Sequence, residues 1–148
     1  RRRAATESDG GRPPTAYMTK STVSRWFTEN VADTRTPDGP EGRAYAAPFA
    51  SAWDSLLELI RQRYGWKLVH ADEELGLITV VCTSPVLRFR DDLTVWVSLD
   101  ENGVTRIEAR SESRKGKGDI GVNWRRIDRL LGHLDRAVGP GTRLRTGP

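Results

Sequence analysis

Hydrophobic and polar positions alternate along the middle of the chain. Four β-rich runs follow one another between residues 66 and 110: WKLVHA, LGLITVVCT, LTVWVSL and VTRIEAR. The pair Asn102-Gly103 separates the last two runs and is a strong hairpin signal. In these two runs, alternate residues fall on one face of the predicted strands: Leu93, Val95, Val97, Leu99, Thr105, Ile107 and Ala109. The pattern predicts an antiparallel meander with one buried face and one face in contact with water.

Two segments with helical spacing lie on either side of the meander. The first, SAWDSLLELIRQRYG, carries an apolar stripe and ends at Gly65, and the second runs from about Ile120 to Val138. A short strand, AYAAPF, precedes the first helix. The order β-α-β-β-β-β-α predicts an α+β fold, in which an antiparallel sheet of about five strands carries both helices on one face. This order resembles one repeat of the TATA-box-binding-protein fold.

The first 43 residues differ from the rest of the chain in composition. They contain RRR, GGRPP and TRTPDGPEGR with few apolar residues, so we expect an extended tail over 1–43, a domain over 44–138 and a C-terminal tail over 139–148. Within the first tail, Val23, Trp26, Phe27 and Val31 predict a short amphipathic helix near 21–32. The candidate docking residues are Arg1, Arg2, Arg3, Trp26 and Phe27, with local packing onto the domain as an equal alternative.

The composition excludes some kinds of site but does not identify a function. The chain has 24 Lys and Arg against 20 Asp and Glu, a net charge of +4, which permits an acidic partner without requiring one. A single cysteine, Cys82, excludes an internal disulfide, and with only His70 and His133 the usual zinc spacings cannot be assembled. We therefore expect neither a metal nor a cofactor. No stretch approaches about 20 apolar residues, so we expect a cytoplasmic protein, either free or peripheral to a membrane.

The segment from Arg110 to Arg126 stands out because six basic residues accompany only two acidic ones. Its glycines allow tight turns, and it runs into the N-terminus of the last predicted helix, whose free N–H groups favour anions. It has neither a P-loop nor a dinucleotide fingerprint. The candidate anion-binding residues are Arg110, Ser111, Ser113, Arg114, Gly116, Lys117, Asp119, Gly121, Asn123 and Arg126, together with Asp91 and Asp92 as acidic partners.

A structural role for the same residues is the preferred interpretation. Asp91 and Asp92 open the third predicted strand, beside the strand that ends at Arg110, so carboxylate–guanidinium pairs would fix this junction. Asp119 would then cap the final helix, and Asn123 would bond loop backbone. The segment is predicted to join the sheet to the last helix, with anion binding as the alternative.

These residues resemble the family called domain of unknown function 1499, or DUF1499. Its pattern is an aromatic residue and Asp-Asp, then a strand and R-S-x-S-R-x-G-x-x-D-x-G-x-N-x-x-R with an aliphatic residue next. Here Phe89, Asp91 and Asp92 precede the run RSESRKGKGDIGVNWRRI. The resemblance covers about residues 44–138, with two departures: Lys115 replaces an apolar residue, and Arg90 separates Phe89 from the acidic pair.

The resemblance implies no established activity. Because some members of the family occur in phototrophs, it implies an accessory role around a photosynthetic or other membrane complex. We therefore expect a non-catalytic accessory subunit whose partners are other protein subunits, docked through the tail and the basic loop. The alternative is a small anion-binding or enzymatic domain in which Asp91 or Asp92 acts as a base. Nucleic-acid binding is disfavoured, because the exposed sheet face offers few aromatic residues for stacking.

Overall fold

The computed structural model describes residues 30–115 and 121–145, and these form seven strands and two helices. The strands are β1 Val31–Asp33, β2 Arg43–Tyr45, β3 Trp66–Asp72, β4 Leu77–Thr83, β5 Arg90–Leu99, β6 Thr105–Ser113 and β7 Arg143–Leu144. The helices are α1 Phe49–Gln62 and α2 Val122–Val138. The predicted α+β class is confirmed.

One antiparallel sheet contains every strand, in the order β3-β4-β5-β6-β2-β7, and β1 also pairs with β6. Strands β3 to β6 form the predicted meander, and Gly103 in the β5–β6 turn has the positive φ of 77° that favours glycine. The sheet has seven strands rather than about five. The two added strands, β1 and β7, lie in ranges expected to be tail. They are too short to show a periodic pattern, and they form by pairing with β6 and β2.

The core lies between one face of the sheet and the two helices. Alternate residues of β4, β5 and β6 are buried, as expected for strands with one covered face. The helices contribute the other half: Ala52, Trp53, Leu56, Ile60, Ile127, Leu130, Leu131 and Leu134. Both helices pack against this face and against each other, because each has a single apolar stripe.

The predicted tail is partly folded. Most of the short helix predicted near 21–32 lies outside the described residues, as do the candidate docking residues Arg1, Arg2, Arg3, Trp26 and Phe27. Val31, the last apolar residue of that stripe, lies in β1 and pairs with Glu112 of β6. The sheet therefore begins before residue 44. Neither of the two helices in the described ranges is long and apolar enough to cross a membrane.

Candidate functional site

The described residues of the family motif meet where β5 begins, β6 ends and α2 begins. Asp91 lies opposite Ser113 in the β5–β6 register, and Cys82 lies opposite Asp91 in the neighbouring β4–β5 register. On α2, Asn123 and Arg126 are three residues apart and so share one helix face. That face is turned toward the sheet, since Asn123 is completely buried.

Asn123 is the centre of a buried hydrogen-bond network. Its Oδ1 accepts from Ser111 Oγ at 2.7 Å and from Arg126 Nη1 at 2.7 Å. Its Nδ2 donates to Asn30 O at 3.0 Å and to Ser113 Oγ at 2.9 Å. Because the amide makes four hydrogen bonds to three segments of the chain, its polar groups are satisfied within the protein.

Arg126 joins this network to the sheet by an ion pair. Its Nη2 donates to Asp91 Oδ2 at 2.6 Å, and its Nη1 also donates to Ser111 Oγ at 3.0 Å. The two charged side chains retain only 11% and 8% of their exposure, so each charge depends on the other. Burial raises the pKa of the nearby Cys82 thiol to about 12, which leaves it protonated and unreactive at neutral pH.

A second pair of motif residues lies at the surface. Arg114 donates two parallel hydrogen bonds to Asp92, from Nε at 2.9 Å and from Nη2 at 2.8 Å. These bonds hold the pKa of the Asp92 carboxyl below its usual value. Asp91 and Asp92 therefore each have an arginine partner of their own, Arg126 for Asp91 and Arg114 for Asp92.

Arg110 does not pair with either of these acidic residues, contrary to the expectation from the sequence. Its Nη1 donates to Glu112 at 2.7 Å, and its Nε lies 3.8 Å from Asp33 of β1. Alternation along the strands separates Arg110 from Asp91, because Arg110 lies on the open face and Asp91 on the face covered by the helices. Asp92 shares the open face with Arg110, but it lies opposite Glu112 in the register and is paired with Arg114.

The description of the chain resumes at Gly121, immediately before α2. Its φ of 74° is the left-handed conformation that glycine adopts readily, and it forms the turn into the helix. The candidate residues Gly116, Lys117 and Asp119 lie outside the described residues, so the predicted helix cap at Asp119 stays a prediction.

A second polar cluster at the other end of α2 was not anticipated. Asp135 accepts hydrogen bonds from Arg43 Nε at 2.9 Å, from Tyr45 Oη at 2.6 Å and from Arg143 Nη1 at 3.2 Å. Burial, with the Asp135 carboxylate beside it, raises the pKa of Tyr45 well above its ordinary value. Arg43 and Tyr45 are 92 and 90 residues from Asp135 along the chain, so no local pattern joins them to it, and Arg143 is eight residues away in the short strand β7.

The β4–β5 turn is a third feature, and it is unusually apolar for a turn. Three of its large apolar side chains are exposed, Val86 at 85%, Leu87 at 65% and Phe89 at 56%. Tyr64, between α1 and β3, is 87% exposed. An open cleft of about 310 Å³ lies between this turn and the start of β3, with Lys67 and Arg88 in its lining. The signal in the sequence was the run PVLRF between two strands, where polar residues are the norm.

Comparison with known proteins adds a family and no activity. The model of the family described as protein of unknown function (DUF1499) matches residues 14–134. A search of curated proteins found no match. The match includes β1 to β6 and most of α2, and therefore all the motif residues described above.

Proposed function

The chain belongs to the DUF1499 family of proteins of unknown function, and from this premise we propose that it is a non-catalytic accessory domain. It docks on a larger, membrane-associated complex, and the docking surface is one end of its sheet. We call this the basic end, residues 63–67, 84–92 and 113–115. The opposite end, residues 72–76 and 99–104, is the acidic end.

The observation that carries the proposal is that the polar groups at the centre of the motif already have their partners within the chain. Asn123 makes four hydrogen bonds within the chain, and Asp91 and Arg126 are paired and buried. A polar group that already has its partners gains little by binding a ligand, because the internal bonds must first be broken. The motif is therefore better suited to positioning α2 on the sheet than to holding a substrate.

The catalytic alternative requires a free base beside the basic loop. Asp91 contacts Arg126 at 2.6 Å, and the lowered pKa of Asp92 makes that carboxylate a weak proton acceptor near neutral pH. The one cysteine of the chain is buried, with its pKa raised to about 12. These groups support an accessory role over proton transfer or nucleophilic catalysis.

The distribution of charge supports the basic end as the surface that docks. This end contains six Lys and Arg against two Asp, and both of these Asp are paired with arginine. The acidic end contains five Asp and Glu and neither Lys nor Arg. A domain with such opposed ends is oriented by any strongly charged partner before contact is made.

A site-specific photo-crosslinking experiment tests the docking surface. A photoreactive residue replaces Arg88 at the basic end or, as the matched control, Glu101 at the acidic end, both of which are exposed turn positions. The full chain is expressed in its native host and irradiated in isolated membranes. We expect adducts with the subunits of one complex from position 88 and none from position 101. Equal adducts from the two positions, or none from position 88, would contradict the proposal.

A truncation tests the part expected of the tail. Because β1 begins at Val31, the truncation removes residues 1–29 and leaves every described strand intact. We expect the shortened chain to fold with an unchanged unfolding midpoint and to co-purify with the same subunits in lower yield. An unchanged yield would remove the tail from the docking surface.

A further inference from the structure

The β4–β5 turn is a closed, well-bonded structure rather than a loose loop. Ser84 and Phe89 face each other across its base, with Ser84 N donating to Phe89 O at 2.9 Å and Arg88 N donating to Ser84 O at 3.2 Å. The Ser84 hydroxyl accepts a further bond from Phe89 N at 2.9 Å. The backbone N–H groups of Ser84, Arg88 and Phe89 are therefore bonded within the turn, which lowers the cost of taking its base out of water.

The tip of this turn exposes apolar side chains side by side. Val86 and Leu87 are consecutive and are 85% and 65% exposed, and Phe89 is 56% exposed. Tyr64, 87% exposed, lines the same cleft as Pro85 and Arg88. Single exposed apolar residues are common on proteins, but a cluster of this size on a projecting turn is typical of an interaction site.

Three cations lie close to the apolar tip, Lys67 and Arg88 in the cleft lining and Arg90 at the start of β5. Within the described residues, the side chains of Lys67, Arg88 and Arg90 take part in no ion pair, whereas the exposed acids nearby, Asp92 and Glu112, are paired. Lys67 and Arg88 line the cleft beside the turn. Because these three charges are not neutralised by the protein, they can interact with anions outside it.

We propose that the β4–β5 turn inserts its apolar tip into the headgroup region of an anionic phospholipid membrane, where Lys67, Arg88 and Arg90 contact lipid phosphates. The inference rests on the proposed function and deepens it by naming the surface that this end meets. An apolar tip with cations beside it matches the layers of such a membrane, which presents negative headgroups above hydrocarbon. A protein groove would instead need acidic groups placed individually opposite each cation.

The acidic end gives the insertion a direction. Its five acidic residues lie in the β3–β4 and β5–β6 turns, at the far ends of the strands whose near ends meet the β4–β5 turn. A negatively charged membrane attracts the basic end and repels the acidic end. At physiological salt both forces are screened over a Debye length of about 8 Å, so they act on whichever end lies nearest the membrane. The strands of the sheet would then stand with the β4–β5 turn toward the lipid.

Vesicle flotation with the 148-residue chain tests the contribution of the apolar tip. The probes are phosphatidylcholine vesicles and vesicles with added phosphatidylglycerol. We expect binding to the anionic vesicles only, and Leu87→Ser should weaken it about tenfold, because one large apolar side chain no longer enters the membrane. The matched control is Leu75→Ser, which removes an equally exposed leucine from the acidic end and should leave binding unchanged.

Substitution of the cations tests the electrostatic part. Removing one positive charge near an anionic membrane weakens binding about fivefold, so we expect this loss for Lys67→Gln and again for Arg90→Gln. The control is Arg106→Gln, which removes a half-exposed arginine paired with Asp100 at the acidic end and should have no effect. Equal losses from all three variants would mean that only total charge matters, and the inference would fail.

A fluorescent label reports insertion directly. Cys82 is buried, so a cysteine introduced as Leu87→Cys or as Leu75→Cys can be labelled selectively with an environment-sensitive dye. We expect a blue shift of emission on anionic vesicles from position 87 and none from position 75. No shift at position 87, or the same shift at both, would overturn the inference.

The two proposals can fail separately. If the chain does not bind vesicles but position 88 still crosslinks to protein subunits in native membranes, the lipid inference is wrong and the docking proposal is supported. If the turn inserts into vesicles but position 88 crosslinks to no protein, the lipid inference is supported and docking on a complex is wrong.

Discussion

Two polar clusters fasten the same helix to the same sheet, one near each end of α2. In the first, Arg126 of the helix pairs with Asp91 of β5, and in the second, Asp135 of the helix pairs with Arg43 of β2. The family motif contains the first cluster, and none of its positions falls in the second. The difference shows that a sequence motif can mark one of two polar clusters that have the same structural role.

In both clusters the charged residue on the helix has the sign that the helix dipole disfavours. A basic residue near the N-terminus and an acidic one near the C-terminus each cost up to about 1 kcal/mol. Leaving a buried charge without its partner costs about 3–5 kcal/mol. The partners in the sheet therefore decide the charges on the helix, and the dipole does not. This favours a structural origin for both clusters.

The largest effect is expected from Arg126→Met, which would leave Asp91 buried without its partner. We expect the free energy of unfolding, measured with urea on the full chain, to fall by about 3–5 kcal/mol. Arg129→Met, at an exposed position of the same helix, should change it by less than about 0.5 kcal/mol. A loss below about 1 kcal/mol for Arg126→Met would mean that the motif cluster does not fix the helix.

A smaller effect is expected at the second cluster from Asp135→Ala. Arg43 would keep its bonds to the carbonyl oxygens of Glu41 and Gly42, at 2.8 and 3.3 Å, and so remain partly satisfied. We expect a loss of about 2 kcal/mol in the free energy of unfolding. A loss equal to that of Arg126→Met would contradict this expectation and would mean that the two clusters stabilise the fold equally.

Tyr45→Phe tests the second cluster through the pH dependence of the free energy of unfolding. Burial raises the pKa of Tyr45 in the folded state above its ordinary value of 10.0, so its stabilisation is present below pH 10 and is lost as pH rises above it. We expect Tyr45→Phe to cost about 1 kcal/mol at pH 8. The variant should also lose less stability than the parent between pH 9 and 11. Parallel curves for parent and variant in urea unfolding would contradict this.

The smallest effect is expected from Arg114→Gln at the edge of the motif. The Arg114 and Asp92 side chains are 44% and 50% exposed, and an ion pair at such exposure contributes little to stability. We expect a small loss in the free energy of unfolding that disappears at about 1 M salt, whereas the Arg126→Met loss should persist. If the loss from Arg114→Gln did not depend on salt, the exposed pair Arg114–Asp92 would hold the fold together in the same way as the buried pair Arg126–Asp91.

Most of the fold could be predicted because its signals are local. The alternation in LTVWVSL and VTRIEAR places Val95 and Ala109 on the covered face, and these residues lie opposite each other in β5 and β6. The short strands β1 and β7 could not be predicted, since strands of three and two residues show no periodicity. Their pairing with β6 and β2 is a tertiary event.

The sequence predicted which residues form the candidate site, but not how they pair with one another. The run of motif residues pointed to Asp91, Ser111, Asn123 and Arg126 as one group, and the structure brings these four together. It did not reveal which arginine would meet which acid, because the pairs Arg126–Asp91 and Arg114–Asp92 join residues 35 and 22 apart along the chain. The run PVLRF marked an apolar turn, but its exposure could not be predicted, because exposure depends on what the rest of the chain leaves uncovered.

By itself the sequence determined the α+β class, the meander, both helices and the family, because these depend on spacings within a few residues. Only the tertiary structure decided that Arg126 meets Asp91, that Asp135 meets Arg43 and that the two ends of the sheet carry opposite charge. The physical reason is separation along the chain: the first pair spans 35 residues and the second 92. Partners so far apart are chosen by packing of the core and not by any local preference.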